Sequence, residues 1–160
     1  MNSILFKEPV KRAEKAIKEF NPNLRVIVLE QTARTAQDAA TALGCKVGAI
    51  VKSLLFKTDN KFTLFLVAGD KKASLRKIKK NIKVDDVSMA TAEDVKNITG
   101  YTIGGVSPVG HLENVDIYID NSLNRFDFLF AAAGHPNCIF KINFSDLKKI
   151  TKGTIEDITE

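Results

Sequence analysis

Apolar residues recur along this chain at two spacings, and the switches between them mark its elements. Val10, Ala13, Ile17 and Phe20 lie three or four apart, which predicts an amphipathic helix over residues 9–20 with Pro9 in its first turn. A β-branched run predicts a strand over 24–29. Thr35 is placed to cap a helix over 36–43 that Gly44 ends. Two apolar runs, 47–56 and 62–68, read as strands joined by the polar turn KTDNK. Leu75, Ile78 and Ile82 share one stripe of a helix whose other sides are basic. Thr91 then starts a short helix, AEDVKNI, closed by Gly100. Beyond the glycine-rich loop GYTIGGVSPVG, strands are predicted over 115–119, 126–131 and 138–142, with Ser145 capping a last short helix.

Strands and helices mix here without regular βα alternation. That points to an α+β fold with a mixed, largely antiparallel, barrel-like sheet flanked by helices. Several strands are apolar at successive positions, so both faces of the sheet are expected to be covered. No repeat, low-complexity tract or linker interrupts the 160 residues, and one domain over 1–160 is expected.

Charge changes this picture at one place. From Lys71 to Lys83 the chain reads KKASLRKIKKNIK, with seven basic residues and no acid. The whole chain is only +5, so the remainder is net negative. A basic helical face of this kind suits a polyanion, and its plainer reading is a solvated surface that aids solubility. The first residues, MNSILFKEPVKRAEKAIKEF, lack the continuous apolar stretch of a signal peptide. No apolar run reaches the roughly 20 residues of a membrane span, and a cytoplasmic protein without membrane partners is the expectation.

Candidate chemistry is sparse. No G-x-S-x-G elbow or phosphate-binding G-x-x-x-x-G-K-[ST] run occurs. Cys45, Cys138, His111 and His135 lack paired ligand spacing, so the cysteines read as small buried hydrophobes and neither metal nor cofactor is expected. The segment GAIVKSLLF is unusual, because Lys52 interrupts a run in which seven of nine residues are apolar or glycine. A buried ammonium is costly unless it finds a partner or water. Lys52 either faces a cleft and meets a ligand, or snorkels from a sheet edge that it guards against aggregation. GGVSPVG (104–110) is either a nest of backbone N–H groups around Ser107 and Pro108, or a structural turn. AAAGHP (131–136) reads as a small-residue loop that either lines a pocket or packs closely on a neighbour.

Taken together and in order, these segments resemble the YbaK/prolyl-tRNA-editing domain family of aminoacyl-tRNA deacylases. The resemblance runs through TAQDAATALGC, GAIVKSLLF, FTLFLVAGD, the basic helix, TAEDVKNITGYTIGGVSPVGH and AAAGHPNCIFKI, a core of about 30–150. It implies hydrolysis of the ester between a wrong amino acid and the terminal ribose of a tRNA. Lys52 matches the family's strand lysine. Gly104 and Pro108 match its GxxxP loop, with Gly105 and Ser107 between them as further loop donors to the reacting carbonyl. Gly134, His135 and Pro136 match a GHP turn found in the branch similar to alanine-type editing enzymes. That implies proline tRNA carrying alanine or another small residue, with cysteine as the alternative. Lys71, Lys72, Arg76, Lys77, Lys79 and Lys80 are then the expected tRNA contacts. Aminoacyl-tRNA is the implied partner, and prolyl-tRNA synthetase is a second candidate. The rival reading is a non-catalytic module of the same fold that holds tRNA or a synthetase.

Overall fold

The computed structural model describes residues 3–30 and 35–160. Helix α1 (Glu8–Phe20) is followed by a short strand β1 (Ile27–Val28), helix α2 (Ala36–Leu43) and the hairpin β2 (Ile50–Thr58) and β3 (Lys61–Ala68). Helix α3 (Leu75–Ile82), strand β4 (Val87–Met89) and helix α4 (Ala92–Thr99) come next. The remainder is β5 (Asp116–Asp120), β6 (Leu129–His135), β7 (Cys138–Ile142), α5 (Phe144–Thr151) and β8 (Thr154–Glu156).

These strands form one mixed eight-stranded sheet in the order β1-β7-β6-β2-β3-β5-β8, with β4 attached to β2. The pairs β1–β7, β6–β7, β2–β3 and β2–β4 are antiparallel, whereas β2–β6, β3–β5 and β5–β8 are parallel. The fold is therefore the expected α+β class, and the described ladder runs from β1 to β8 without joining its ends.

Strand β3 shows why both faces are apolar. Leu64, Leu66 and Ala68 enter the main core with α1, α5, β6 and β7, while Phe65 and Val67 pack on Ile78 of α3. The alternation places them on opposite faces, and helices cover each. Three helix starts follow the capping rules: the side chains of Thr35, Ser74 and Thr91 accept the backbone N–H of Asp38, Lys77 and Asp94, each three residues on.

Several expectations need correction. Asn143, not Ser145, caps α5, accepting the Asp146 N–H at 2.7 Å; Ser145 lies inside the first turn. Residues 47–49 form a 3₁₀ turn, so β2 starts at Ile50 and runs on to Thr58. Ala131–His135 is strand, not loop: β6 starts at Leu129 and its register shifts between Ala132 and His135. Lys71 and Lys72 precede α3 and lie outside it. Strands β4 and β8 were not expected. Each has three residues and is held by a partner distant in sequence, so neither carries a local signature. Among the described residues no helix is long and apolar enough to cross a membrane.

Candidate active site

Strand β2 has three neighbours. Strand β3 covers one edge throughout. The other edge is shared: β6 pairs only with Ile50 and Val51, and β4 pairs with Phe56–Thr58. Between them the sheet splits. A cavity of about 690 Å³ opens at the split, with Lys52–Leu55 along one side. Its other walls come from α2 (Ala36, Ala39), β6 (Ala131, Ala132), the segment Met89–Ala90, and Ile103, Gly104 and Val106. Most of these are apolar, so Lys52 and Ser53 are prominent polar groups in it.

Alternation along β2 sorts its side chains. Val51 and Leu55 point into the main core, which puts Ser53 on that face. Lys52 lies on the opposite face, where its Nζ donates to the Lys71 carbonyl at 2.7 Å. Burial pushes its pKa below the ordinary lysine value; the Asp70 carboxylate partly offsets this, and Lys72 adds to it. Asp70 is itself held by Arg125 through paired contacts of 2.8 and 3.0 Å, and that bond keeps its carboxyl below the usual range. Lys52 is thus neither a free surface lysine nor a sealed core lysine. It is half-buried, with one carbonyl bonded and donor capacity to spare.

The glycine loop and the GHP turn meet here although they are 30 residues apart in sequence. A Cβ on Gly105 would stand 2.9 Å from Cα and N of His135, so only glycine fits between them. Gly104 has φ +94°, and a Cβ there would lie 3.5 Å from the Pro136 ring. Of the predicted site residues, Lys52, Gly104 and Pro136 line the cavity, and Gly105, Gly134 and His135 pack together behind that wall. Ser107 and Pro108 are buried in the interior, where the Ser107 hydroxyl accepts the Val109 N–H. The Gly105 N–H closes a turn onto the Thr102 carbonyl at 2.9 Å, so it is already occupied. His135 Nδ1 accepts the Asn137 N–H at 3.0 Å, leaving the ring proton of the neutral form on Nε2. Burial first, and then Lys7, hold its pKa below the usual histidine value.

The basic residues divide. Lys71 and Lys72 lie beside Lys52, but neither they nor α3 line the cavity. Lys77 pairs with Asp157 at 3.0 Å. Among the described residues no group of three or more His, Cys, Asp or Glu could hold a metal ion.

Sequence reasoning missed Arg12. Its Nε donates to Gly110 O at 2.7 Å and its Nη2 to Thr99 O at 3.2 Å, while its guanidinium lies 4.6 Å over the Tyr101 ring. The buried Tyr101 hydroxyl donates to Val109 O at 2.8 Å, and burial pushes its pKa up to about 12. Helix α1 thereby braces both ends of the glycine loop. An isolated arginine on an amphipathic helix carries no sequence signal for this. Arg12→Ala should destabilise the protein by about 1–3 kcal/mol, through loss of its two hydrogen bonds to the loop carbonyls and of its packing on the Tyr101 ring. Amide exchange in 100–111 should speed up more than in β3, which hydrogen-exchange measurements would show; uniform change would count against a local brace.

With this geometry established, the class of protein is clear: residues 30–150 match the aminoacyl-tRNA editing domain, and the chain belongs to that family. A crystal structure of a candidate trans-editing enzyme for prolyl tRNA synthetase superposes with TM-score 0.91 at 34% identity, covering 96% of this chain and 98% of that one. The proline–tRNA ligase of Caldicellulosiruptor bescii is 33% identical over 155 residues, covering 96% of this chain but 26% of the ligase. The chain therefore spans about a quarter of the ligases it resembles. The uncharacterised protein YwhH of Bacillus subtilis is 29% identical, with 83% of this chain and 85% of YwhH covered. Arg12 and α1 lie outside the span of the family match.

Proposed function

We propose that residues 1–160 act as one cytoplasmic trans-editing hydrolase, cleaving the ester of proline tRNA mischarged with alanine or another small residue. The observation that carries this reading is Lys52 at the split in the sheet, beside a mostly apolar cavity whose volume suits a small ligand. Family membership and the relatives linked by name to prolyl-tRNA synthetase support the substrate class.

An aminoacyl ester is already activated, so no protein nucleophile is required. Water adds to the ester carbonyl, either directly or after the neighbouring ribose hydroxyl has taken over the acyl group. The C–O bond to the ribose then breaks, and the ribose oxygen takes up a proton. The products are a free amino acid and uncharged tRNA. Holding the attacking oxygen against the carbonyl supplies much of the rate. Lys52 holds the terminal phosphate or ribose through charge-assisted hydrogen bonds. Gly104 and Pro136 form the wall against the substrate end, while Gly105, Ser107, Pro108, Gly134 and His135 set the shape of that wall. Lys71, Lys72, Arg76, Lys79 and Lys80 take tRNA phosphates, with Lys77 also available once Asp157 releases it. Apolar walls exclude larger side chains by collision, a stronger filter than the roughly 1–3 kcal/mol offered by one missing methylene.

The direct test is deacylation of proline tRNA charged separately with alanine, cysteine, serine and proline. Faster loss of one mischarged ester, with prolyl-tRNA spared, supports editing and names the substrate. Cysteinyl ester as the favoured substrate would replace alanine. No ester cleaved faster than in buffer would leave the rival reading of a binding module. Affinity for tRNA should fall steeply with salt, as expected when several lysines release counterions from phosphates.

A further inference from the structure

The split in the sheet exposes one residue's main chain. Ile50 O accepts from Gly69 N, on the β3 side, and Leu55 O accepts from Ala90 N, on the opposite side. Main-chain groups alternate between the two edges of a strand. Val51, Ser53 and Leu55 therefore turn their N–H and C=O groups to the shared edge, and Lys52 and Leu54 turn theirs to β3. Val51 is met by β6, and Leu55 is met by Ala90. Ser53 lies between them, and among the described residues no strand is paired opposite it on that edge. The side chain adds a second observation. Ser53 Oγ is buried and has no hydrogen-bond partner among the described residues. An unpaired buried hydroxyl is costly, and such a group in a cavity wall points to a polar partner that arrives from outside.

The opening is made by β6. In its parallel register β6 would next place Ala133 opposite Ser53, but its pairing with β7 shifts between Ala132 and His135, and Gly134 has φ +92°. A shift of this kind bends a strand away from its neighbour. The GHP turn thus has a role beyond its own contacts: it vacates one residue's worth of strand edge.

We propose that Ser53 binds the aminoacyl group of the substrate as a one-residue strand. The substrate ammonium donates to Ser53 C=O and to Ser53 Oγ, and the substrate ester carbonyl accepts the Ser53 N–H. An amino acid ester carries this donor and acceptor at the spacing of one strand residue, whatever its side chain. Directly opposed residues in an antiparallel pair share a face. The substrate's side chain then falls on the face of Val51, Leu55 and Ala131, which are apolar and buried. Ser53 reads the free α-amino group, and its apolar neighbours read the side chain. N-acylated aminoacyl esters, which have lost the charge and gained bulk at that nitrogen, are excluded.

This inference rests on the editing reading for its ligand, so the test separates binding from hydrolysis. The probes are the stable 3′-amides of 3′-amino-3′-deoxyadenosine with alanine and with propionic acid, which differ only in the ammonium. They are titrated into ¹⁵N-labelled protein. Wild type should bind the alanyl amide about tenfold more tightly than the propionyl amide, as expected for a charge-assisted hydrogen bond. The Ser53 amide proton should move downfield with the alanyl amide. Ser53→Ala should reduce the tenfold preference to about threefold or less, because the carbonyl contact remains while Oγ is lost. Equal binding of the two amides, an unmoved Ser53 amide proton, an undiminished preference in Ser53→Ala, or no binding at millimolar amide would each overturn the proposal. Alanyl-tRNA and N-acetyl-alanyl-tRNA, incubated in parallel with wild type, test hydrolysis. Cleavage of the first alone supports the proposal, and equal cleavage of both overturns it. If neither is cleaved while the amides still show the ammonium preference, the hydrolase reading fails and the Ser53 contact stands.

Discussion

Lys52→Met should reduce deacylation by about 100-fold or more, the usual cost of losing one preorganised charge-stabilising donor, while leaving the melting temperature nearly unchanged. The two halves of this expectation have separate causes. Among the described residues Nζ makes one hydrogen bond, to Lys71 O, and the ammonium gives up hydration to make it. Methionine keeps nearly the length of the side chain and removes that desolvation, so stability gains about as much as it loses. Function has no such offset, because the thioether offers neither a donor nor a charge. The pH profile gives an independent check. Burial lowers the Lys52 pKa, and activity that depends on the ammonium falls as pH rises through that lowered value. After subtraction of base-catalysed ester loss, wild type should show an alkaline limb that begins below the ordinary lysine range. Lys52→Arg keeps its charge over the whole range, and any residual activity it has should lack the limb. Wild-type turnover by Lys52→Met would remove the lysine from the mechanism.

The fold was largely legible because most elements carry local signals. Thr35, Thr91, Gly44 and Gly100 mark helix ends by chemistry that acts within one turn. The unbroken apolar run in β3 could be read as a strand covered on both faces. What failed was specified at long range. Strand β8 exists because β5 offers it a parallel edge, and β4 exists because β6 leaves β2 early. Asn143 displaced Ser145 because both suit a cap and tertiary packing chose the start of α5.

Legibility of the site divides along the same line. Lys52 stands out in sequence because an apolar run makes its charge conspicuous. Ser53, its neighbour, is an ordinary strand residue until the sheet splits beside it. Ser107 drew attention from its glycine-rich setting, yet its hydroxyl serves a backbone turn in the interior. Arg12 acts on residues 87 and 98 positions away, and no local pattern reports that. Motif spacing therefore marked segments that meet at the cavity. Which side chain in each segment faces the cavity depended on strand parity and on the β6 register shift.

That register shift yields the largest expected effect on stability. Gly134→Ala should destabilise the protein by about 3 kcal/mol, from two sources. Placing a Cβ at φ +92° costs about 1–2 kcal/mol. The same Cβ would stand 2.6 Å from Pro9 O and 2.9 Å from Val10 N, both main-chain atoms in the first turn of α1. Neither can move without shifting the helix, and overpacking of this kind adds about 1–3 kcal/mol. For a chain of this size the melting temperature should fall by about 6–12 °C. Gly44→Ala isolates the first source, since Gly44 has φ +69° and a Cβ there would meet nothing within 4 Å. It should cost only about 1 kcal/mol. A Gly134 variant no less stable than the Gly44 variant would mean that α1 yields freely. Helix α1 would not then be packed rigidly against β6 at Gly134. If the gap between the two variants is found, any fold-retaining relief of the clash at Pro9 should restore stability before it restores activity. The strand edge at Ser53 needs the position of β6, which the backbone angle at Gly134 sets, as well as the packing that supports it.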